Sequence, residues 1–247
     1  MADAVRSLER AFELLEHLAD AGGELALSEL TEASGLPTPT VYRLMRTLVN
    51  HGYVRQAPSK RYALGPRLIR LGESSSRLLG SWARPALARL VDEVGETANM
   101  AMLEGDAVVY VAQVPSRHSM RMFTEVGRRV QAHSTGVGKA LLAQLPAESA
   151  RTLVCRTGLE AHTPHTITDL EALMRELDLI RRRGYALDDE EQELGVRCVA
   201  VPIAGAPALS AISVSGPSGR LTHATINEVV PLVRRAAERL ARDIAAS

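Results

Sequence analysis

Gly35-Leu-Pro-Thr-Pro-Thr-Val-Tyr-Arg-Leu-Met-Arg-Thr-Leu-Val-Asn-His-Gly-Tyr-Val54 decides how the rest of the chain is read. Thr38 reads as a helix N-cap with Pro39 at the first helical position, where a missing N–H costs nothing. Val41, Leu44, Met45 and Leu48 recur at helical spacing and predict a buried face. Pro39, Arg43, Arg46 and Asn50 then point the other way, flanked by Tyr42 and Thr47. Upstream, Ser28-Glu-Leu-Thr-Glu-Ala-Ser34 supplies a short preceding helix, and Gly35 the sharp turn between the two. Helix, tight turn, helix, with donors on the second helix, is the geometry that sets a recognition helix in a major groove.

Downstream, Tyr53-Val-Arg-Gln56 and Arg61-Tyr-Ala-Leu64 flank Ala57-Pro58-Ser59-Lys60, a turn composition, and predict a two-stranded wing. Upstream, Arg6 to Ala21 predicts an amphipathic helix with Leu8, Phe12, Leu15 and Leu18 or Ala19 inward, stopped by Gly22-Gly23. Leu25 to Leu27 reads as a short strand. Residues 1–65 thus read as a winged helix-turn-helix, with Thr38, Thr40, Tyr42, Arg43, Arg46 and Thr47 on the helix and Arg55, Lys60 and Arg61 on the wing as expected DNA contacts. Lysines and arginines on a wing position a protein on phosphates without reading sequence.

The charge distribution agrees. The chain has 29 basic and 29 acidic side chains, so its total predicts no polyanion partner. Yet eight acids precede Gly35, and none lies between Gly35 and Gly72, where Arg43, Arg46, Arg55, Lys60, Arg61, Arg67 and Arg70 fall. A basic stripe on a neutral protein is the footprint of local nucleic-acid contact; its bland alternative is a solvated basic face.

Residues 66–82 predict a linker helix. Leu68, Leu71, Ser75, Leu78 and Trp82 alternate spacings of three and four, a seam that pairs with a second subunit or merely connects. Residues 83–247 predict an α+β domain, a mostly antiparallel sheet with helices on it. Its helices are expected at 85–94, 148–156, 169–183 and 222–245, the last bent or restarted at Pro231. Its strands are expected at 97–103, 107–114, 119–124, 185–191, 196–203 and 209–215, with a hairpin at Gly105-Asp106. The basic run Arg181-Arg182-Arg183 before Gly184 suits the negative end of a helix rather than a DNA contact. Residues 198–219 carry no charge, but Pro202, Gly205, Pro207 and Pro217 interrupt them, so two strands fit better than a membrane span. Without a hydrophobic leader or a CxxC pair, with only Cys155 and Cys198, the chain reads as a cytoplasmic protein with no membrane partner.

Chemistry-bearing patterns are sparse. Gly136-Val-Gly-Lys139 suggests a phosphate loop, but His133 and Ala140 stand where that motif needs Gly and Ser or Thr. What survives is Gly136 and Val137 at a helix start, either favouring a carboxylate or simply allowing tight packing. Alternation puts Cys198 opposite Arg197, and Ser213 and Ser215 on a common face. If Asp188 joins them, a small polar pocket in an apolar wall results. An enzyme reading would use Cys198 as nucleophile and His133 as base, oriented by Asp188, though a buried Cys usually acts as a small apolar residue. His162-Thr-Pro-His165 lacks a third ligand, so neither metal nor cofactor is expected.

Several motifs together resemble the isocitrate lyase regulator (IclR) family of bacterial transcription factors. They are Arg6-Ser-Leu-Glu-Arg-Ala11, Gly35 to Leu44, Gly52-Tyr-Val54, Tyr62-Ala-Leu-Gly65, His133 to Ala140, Gly184 to Glu191, Gly195-Val-Arg-Cys198 and Ile212 to Leu221. The resemblance implies a winged helix-turn-helix joined by a helix to a GAF-like effector domain, assembling as a homodimer or dimer of dimers on double-stranded, palindromic operator DNA. It implies a DNA-binding regulator, a repressor by expectation, controlled by a small carboxylate or 2-oxo acid such as glyoxylate. The implied carboxylate partners are the amides of Gly136 and Val137 and the side chains of Asp188, Cys198 and Ser213, with Ser215 beside them. Met122, Val130 and Val196 match an apolar lining, while Ser119 stands where a larger aliphatic residue is common. Two rivals remain at this point: an enzyme acting on a small acid through Cys198, and an architectural DNA-binding protein without a ligand.

Overall fold

The computed structural model describes residues 5–122, 124–206 and 208–245, apart from the side chains at 77–79, 81 and 245. It divides into two compact units, Met1–Ser75 and Ser76–Ser247.

The first unit runs α1 (Arg6–Asp20), α2 (Leu27–Ser34), α3 (Thr38–Asn50), β1 (Val54–Gln56) and β2 (Tyr62–Leu64). Leu14, Leu18, Leu30, Val41, Met45, Val54 and Tyr62 form its buried core. Gly35 holds a left-handed φ of +63°, which lets α2 and α3 meet at a sharp angle. α3 begins one residue earlier than the sequence predicts: Pro37 is the N-cap, and Thr38 contributes no side-chain cap. The inward face of α1 is also rotated. Leu14 and Leu18 are buried, whereas Leu8, Phe12 and Ala19 are exposed, because the core is reached from the second half of the helix only. The strand expected at Leu25 to Leu27 reduces to one bridge, Leu25 with Tyr62, since Leu27 already starts α2.

α4 (Arg67–Leu79) carries the chain from one unit into the other. Along its expected seam Leu71, Ser75 and Trp82 are exposed and Leu68 is half-buried; the Leu78 side chain, like Phe123 and Pro207, lies outside the described residues.

The second unit holds a short 3-10 turn (Ser81–Ala83), α5 (Arg84–Val94), β3 (Thr97–Glu104), β4 (Ala107–Val114), β5 (Arg129–Val130), α6 (Gly136–Leu142), α7 (Ala147–Thr157) and α8 (Leu170–Arg183). β6 (Ala186–Asp189), β7 (Val196–Ile203), β8 (Ser210–Pro217) and α9 (His223–Ala245) follow. Six strands form one antiparallel sheet in the order β5-β4-β3-β8-β7-β6. α9 runs through Pro231 as one helix rather than restarting there.

The two sheet faces differ in residue size. On one, Val199, Val201, Ile203, Ile212 and Val214 pack against Leu87, Leu90, Val233 and Leu240 of α5 and α9. On the other, Ala101, Ala186, Ala200 and Ala211 meet Val137, Ala140 and Leu141 of α6, with Leu173 and Leu177 of α8 behind. Small residues there let α6 approach the strands closely, and that approach shapes the site.

The strand expected at 119–124 is absent among the described residues. That segment is fixed by side chains instead: Thr97 Oγ1 donates to Met122 O at 3.0 Å and accepts from Ser116 N at 3.1 Å, while Ser116 Oγ donates to Gly95 O at 2.5 Å. The ladder position falls to the two-residue β5, too short to be read from sequence.

Candidate nucleic-acid interface and effector cavity

On α3, burial of Val41 and Met45 turns the opposite face outward. Thr38, Pro39, Tyr42, Arg43, Arg46, Thr47 and Asn50 are all exposed, and Thr40 is half-buried. Thr47 Oγ1 donates to Arg43 O at 3.0 Å, which leaves that hydroxyl's acceptor pairs facing solvent. Arg43 and Arg46 enter no ion pair among the described residues.

The wing is a hairpin with Arg55 opposite Ala63 and Gln56 opposite Tyr62. Its turn is closed by Lys60 N donating to Ala57 O at 2.9 Å, with Lys60 at a left-handed φ of 62°. Lys60 is therefore thrust outward at the tip. The other two wing bases are engaged within the unit. Arg61 donates to Glu24 O at 2.7 Å and to Glu29 Oε2 at 2.7 Å; Glu29 Oε2 in turn accepts from Ala26 N at 2.6 Å, so this bridge seats the wing on the start of α2. Arg55 lies 3.4 Å from Glu24 Oε1 but stays largely exposed.

In the second unit the small-residue face of the sheet carries a transverse polar row. Gln113 Nε2 donates to Asn99 Oδ1 at 3.1 Å, and Asn99 Nδ2 reaches Ser215 Oγ at 3.5 Å. Ser215 is registered opposite Cys198, and Cys198 opposite Asp188. Above the Asp188 end of this row lies a cavity of about 100 Å³, several times what one water needs. Its walls include Tyr110, Met122, Thr124, Arg128, Val130, Thr135, Gly136, Asp188, Gln192, Glu193, Val196, Cys198 and Ser215. Gly136 belongs there because a Cβ would lie 2.9 Å from Cys198 Sγ, so only glycine lets α6 start against β7.

Burial sets the protonation of this wall. Asp188 is pushed up to about 7, first by burial and then by the neighbouring Glu191 charge, against N–H donors from Glu191 (2.9 Å) and Gln192 (3.3 Å) to Oδ1. Behind it, buried Lys139 donates to Glu191, whose Oε2 is buried without a hydrogen-bond partner among the described residues. Burial raises Glu191 as well, and Lys139 opposes the rise. Cys198 is pushed up to about 12 by burial and the Asp188 charge, so its thiol stays protonated at neutral pH. His133 faces away: its Nε2 lies 3.0 Å from Glu160 O, and burial lowers its pKa. The nucleophile, base and orienter constellation is thus not assembled.

Of the expected effector residues, Gly136, Asp188, Cys198, Ser215, Met122, Val130 and Val196 line the cavity. The Val137 side chain points into the core, with its amide in the first turn of α6, and Ser213, its Oγ fully buried next to the Cys198 thiol, sits beside the row. Sequence reasoning misses Tyr110, Thr124, Arg128, Thr135, Gln192 and Glu193. Tyr110 was recoverable from strand alternation, with a correction for the bulge between Met100 and Ala101. The loop residues carry no periodicity that could have placed them. The Arg181–Arg183 run anchors neighbouring chain: Arg181 donates to Ala143 O at 3.0 Å and Leu145 O at 3.1 Å, and Arg183 to Glu176 Oε1 at 2.7 Å. No group of His, Cys, Asp or Glu among the described residues could hold a metal ion, and no helix among them is long and apolar enough to cross a membrane.

Comparison with known proteins adds independent findings. Residues 7–58 match the IclR helix-turn-helix domain, and residues 74–242 match the bacterial transcriptional regulator IclR C-terminal family. The transcriptional repressor IclR of Escherichia coli is 39% identical over 241 residues, covering 95% of this chain and 88% of the relative. The crystal structure of Thermotoga maritima IclR superposes with a TM-score of 0.76 at 31% identity over 98% of this chain and 99% of that one. An IclR homolog from Microbacterium hydrocarbonoxydans, complexed with 4-hydroxybenzoate, gives 0.84 at 26% identity over 98% and 100%. These families and relatives are transcriptional regulators, not enzymes.

Proposed function

The chain belongs to the IclR family of bacterial transcriptional regulators, and on that premise we propose that it is a homo-oligomeric repressor whose grip on operator DNA is altered by a small carboxylate. The cavity carries this reading. It is small, its inner wall is polar and buried, and Asp188 in its protonated form and the Cys198 thiol offer hydrogen bonds to an anion while Ser215 supplies a hydroxyl. A family member complexed with 4-hydroxybenzoate supports an acid as the ligand class. The low aromatic content, 3%, favours a small aliphatic acid, 2-oxo acids such as glyoxylate being the first to try.

Arg43 and Arg46 are assigned to base edges or phosphates, Thr38, Thr40, Tyr42 and Thr47 to support, and Lys60 and Arg55 to wing–phosphate contact. Arg61 is assigned to seating the wing. Exposed Leu8 and Phe12 on α1, with Val5 just before it, would supply a surface for a second copy, as would the exposed Leu71 of α4. A twofold dimer would read a palindromic operator in the cytoplasm. Ligand control needs a coupling of about 1–3 kcal/mol between cavity and DNA arms, transmitted through α4. A thermal-shift screen of two- to eight-carbon acids, followed by gel shifts on the promoter region next to the gene, tests this. An acid that both stabilises the protein and alters its gel shift is expected; DNA binding indifferent to every acid would favour a ligand-free architectural protein.

A further inference from the structure

The cavity has a burial gradient. Gly136, Asp188, Cys198 and Ser215 form a buried inner end, Met122, Val130 and Val196 are half-buried, and Arg128 and Glu193 are exposed at the mouth. Ionisable groups thus stand at both ends of a mixed belt, in which Met122, Val130 and Val196 sit beside half-buried Tyr110, Thr124 and Gln192. Arg128 is the one basic residue among the described lining residues, the other charged ones being Asp188 and Glu193.

Its backbone is fixed. Arg128 N donates to Glu125 O at 3.1 Å, and its carbonyl accepts from Tyr110 N at 3.2 Å. The next residue, Arg129, opens β5, points to the other face and pairs with Glu104 at 2.8 Å. Arg128 enters no ion pair among the described residues, although its charge reaches the Tyr110 hydroxyl. A guanidinium so held presents a planar fork suited to a carboxylate.

We infer that Arg128 is a specificity residue of this cavity, taking the second carboxylate of a dicarboxylic effector whose first carboxylate lies against the inner wall. The inference rests on the effector reading above and narrows its ligand class. A diacid can meet the inner wall and Arg128 at once, which a monoacid cannot. Glu193 shares the mouth and opposes the second carboxylate, so it tunes affinity in the reverse direction.

Calorimetric titration of the full chain tests this with succinate and 2-oxoglutarate as diacids, and with pyruvate and 2-oxopentanoate as monoacids. The wild type is expected to bind a diacid more than tenfold tighter than 2-oxopentanoate, which matches 2-oxoglutarate in length but lacks the second charge. Arg128→Gln should weaken the diacid about ten- to hundredfold, the range for a lost charge-assisted contact. Arg128→Lys should fall between, Glu193→Gln should tighten the diacid, and pyruvate affinity should change less than threefold in each. Loss of pyruvate and diacid affinity alike in Arg128→Gln, or unchanged diacid affinity, overturns the inference. Wild type that binds pyruvate but neither diacid also overturns it, while the cavity's reading as an acid site stands. If no acid binds, both fall.

Discussion

On α3 the groups that matter are long, cationic and exposed, whereas along the cavity's inner wall they are short, polar and buried. Arg43 and Arg46 owe their orientation to the burial of Val41 and Met45 behind them, and no ion pair among the described residues holds them. Asp188, Cys198 and Ser215 are fixed by strand register and by the close approach of Gly136. In the roles proposed for them, the first surface would act through long-range attraction that salt screens, and the second through shape and protonation, which salt leaves nearly untouched and pH does not. Each kind of surface therefore fails differently when altered.

The largest contrast lies in the ion pairs. Lys139→Met strands Glu191 in the core and is expected to cost about 3–5 kcal/mol in urea unfolding of the second unit. Adding Glu191→Leu should restore most of that loss. Breaking the exposed Arg55–Glu24 pair of the wing should cost no more than about 1 kcal/mol. Equal losses at the two pairs would erase the distinction.

Protonation comes next. Asp188 titrates near 7 when folded, against an ordinary value of 3.8. Because the native state binds this proton more tightly, the group costs nothing below about pH 4. Its cost grows between about pH 4 and 7 and is complete above that, up to about 4 kcal/mol. Asp188→Asn keeps an oxygen acceptor for Glu191 N and Gln192 N, so it should stabilise the protein at pH 8 and leave it unchanged at pH 4. An anionic effector should bind more weakly in the wild type as pH rises past 7, and the variant should lose that slope. Denaturation and titration at the two pH values check both.

On the exposed side, Arg43→Ala should alter discrimination between operator variants by about 1–3 kcal/mol, whereas Lys60→Ala should weaken all duplexes alike and reduce the salt slope by about one. Arg61→Ala should instead lower the melting temperature of the first unit together with DNA affinity, since it unseats the wing from Glu24 and Glu29. Competition binding against random duplex at several salt concentrations, with melting curves, separates the three. Ser213→Ala should have the smallest effect. Its hydroxyl is buried with no partner stronger than the Cys198 thiol, so unfolding stability should change by less than about 1 kcal/mol.

The same contrast governs what could be read before the structure was known. A helix with one buried face announces its other face, so Tyr42, Arg43, Arg46 and Thr47 were placed correctly on the exposed side of α3. Strand alternation likewise set Cys198 opposite Arg197, and Ser213 and Ser215 on a common face; the register that brings Ser215 beside Cys198 is written in neither strand alone. Alternation cannot tell which stretch of a face is covered, however, and so Ser213 was taken for a cavity residue when it lies beside it. Arg128, Gln192 and Glu193 sit on loops whose positions depend on distant packing. Lys139 looked like part of a failed phosphate loop; its partner Glu191 is 52 residues away, and no local pattern joins them. Leu8 and Phe12 had the right spacing but no core to meet.

In the function proposed above, one unit grips DNA while the other senses a small acid that changes the grip. Fluorescence anisotropy of the full chain on its promoter fragment at fixed ionic strength, titrated with the acid that stabilises it most, measures that coupling directly. A change of about five- to 150-fold in DNA affinity is expected, absent from a folded Cys198→Ala, Ser215→Ala double variant that still binds DNA when unliganded. An unchanged affinity in the wild type, or an undiminished response in the double variant, would contradict it.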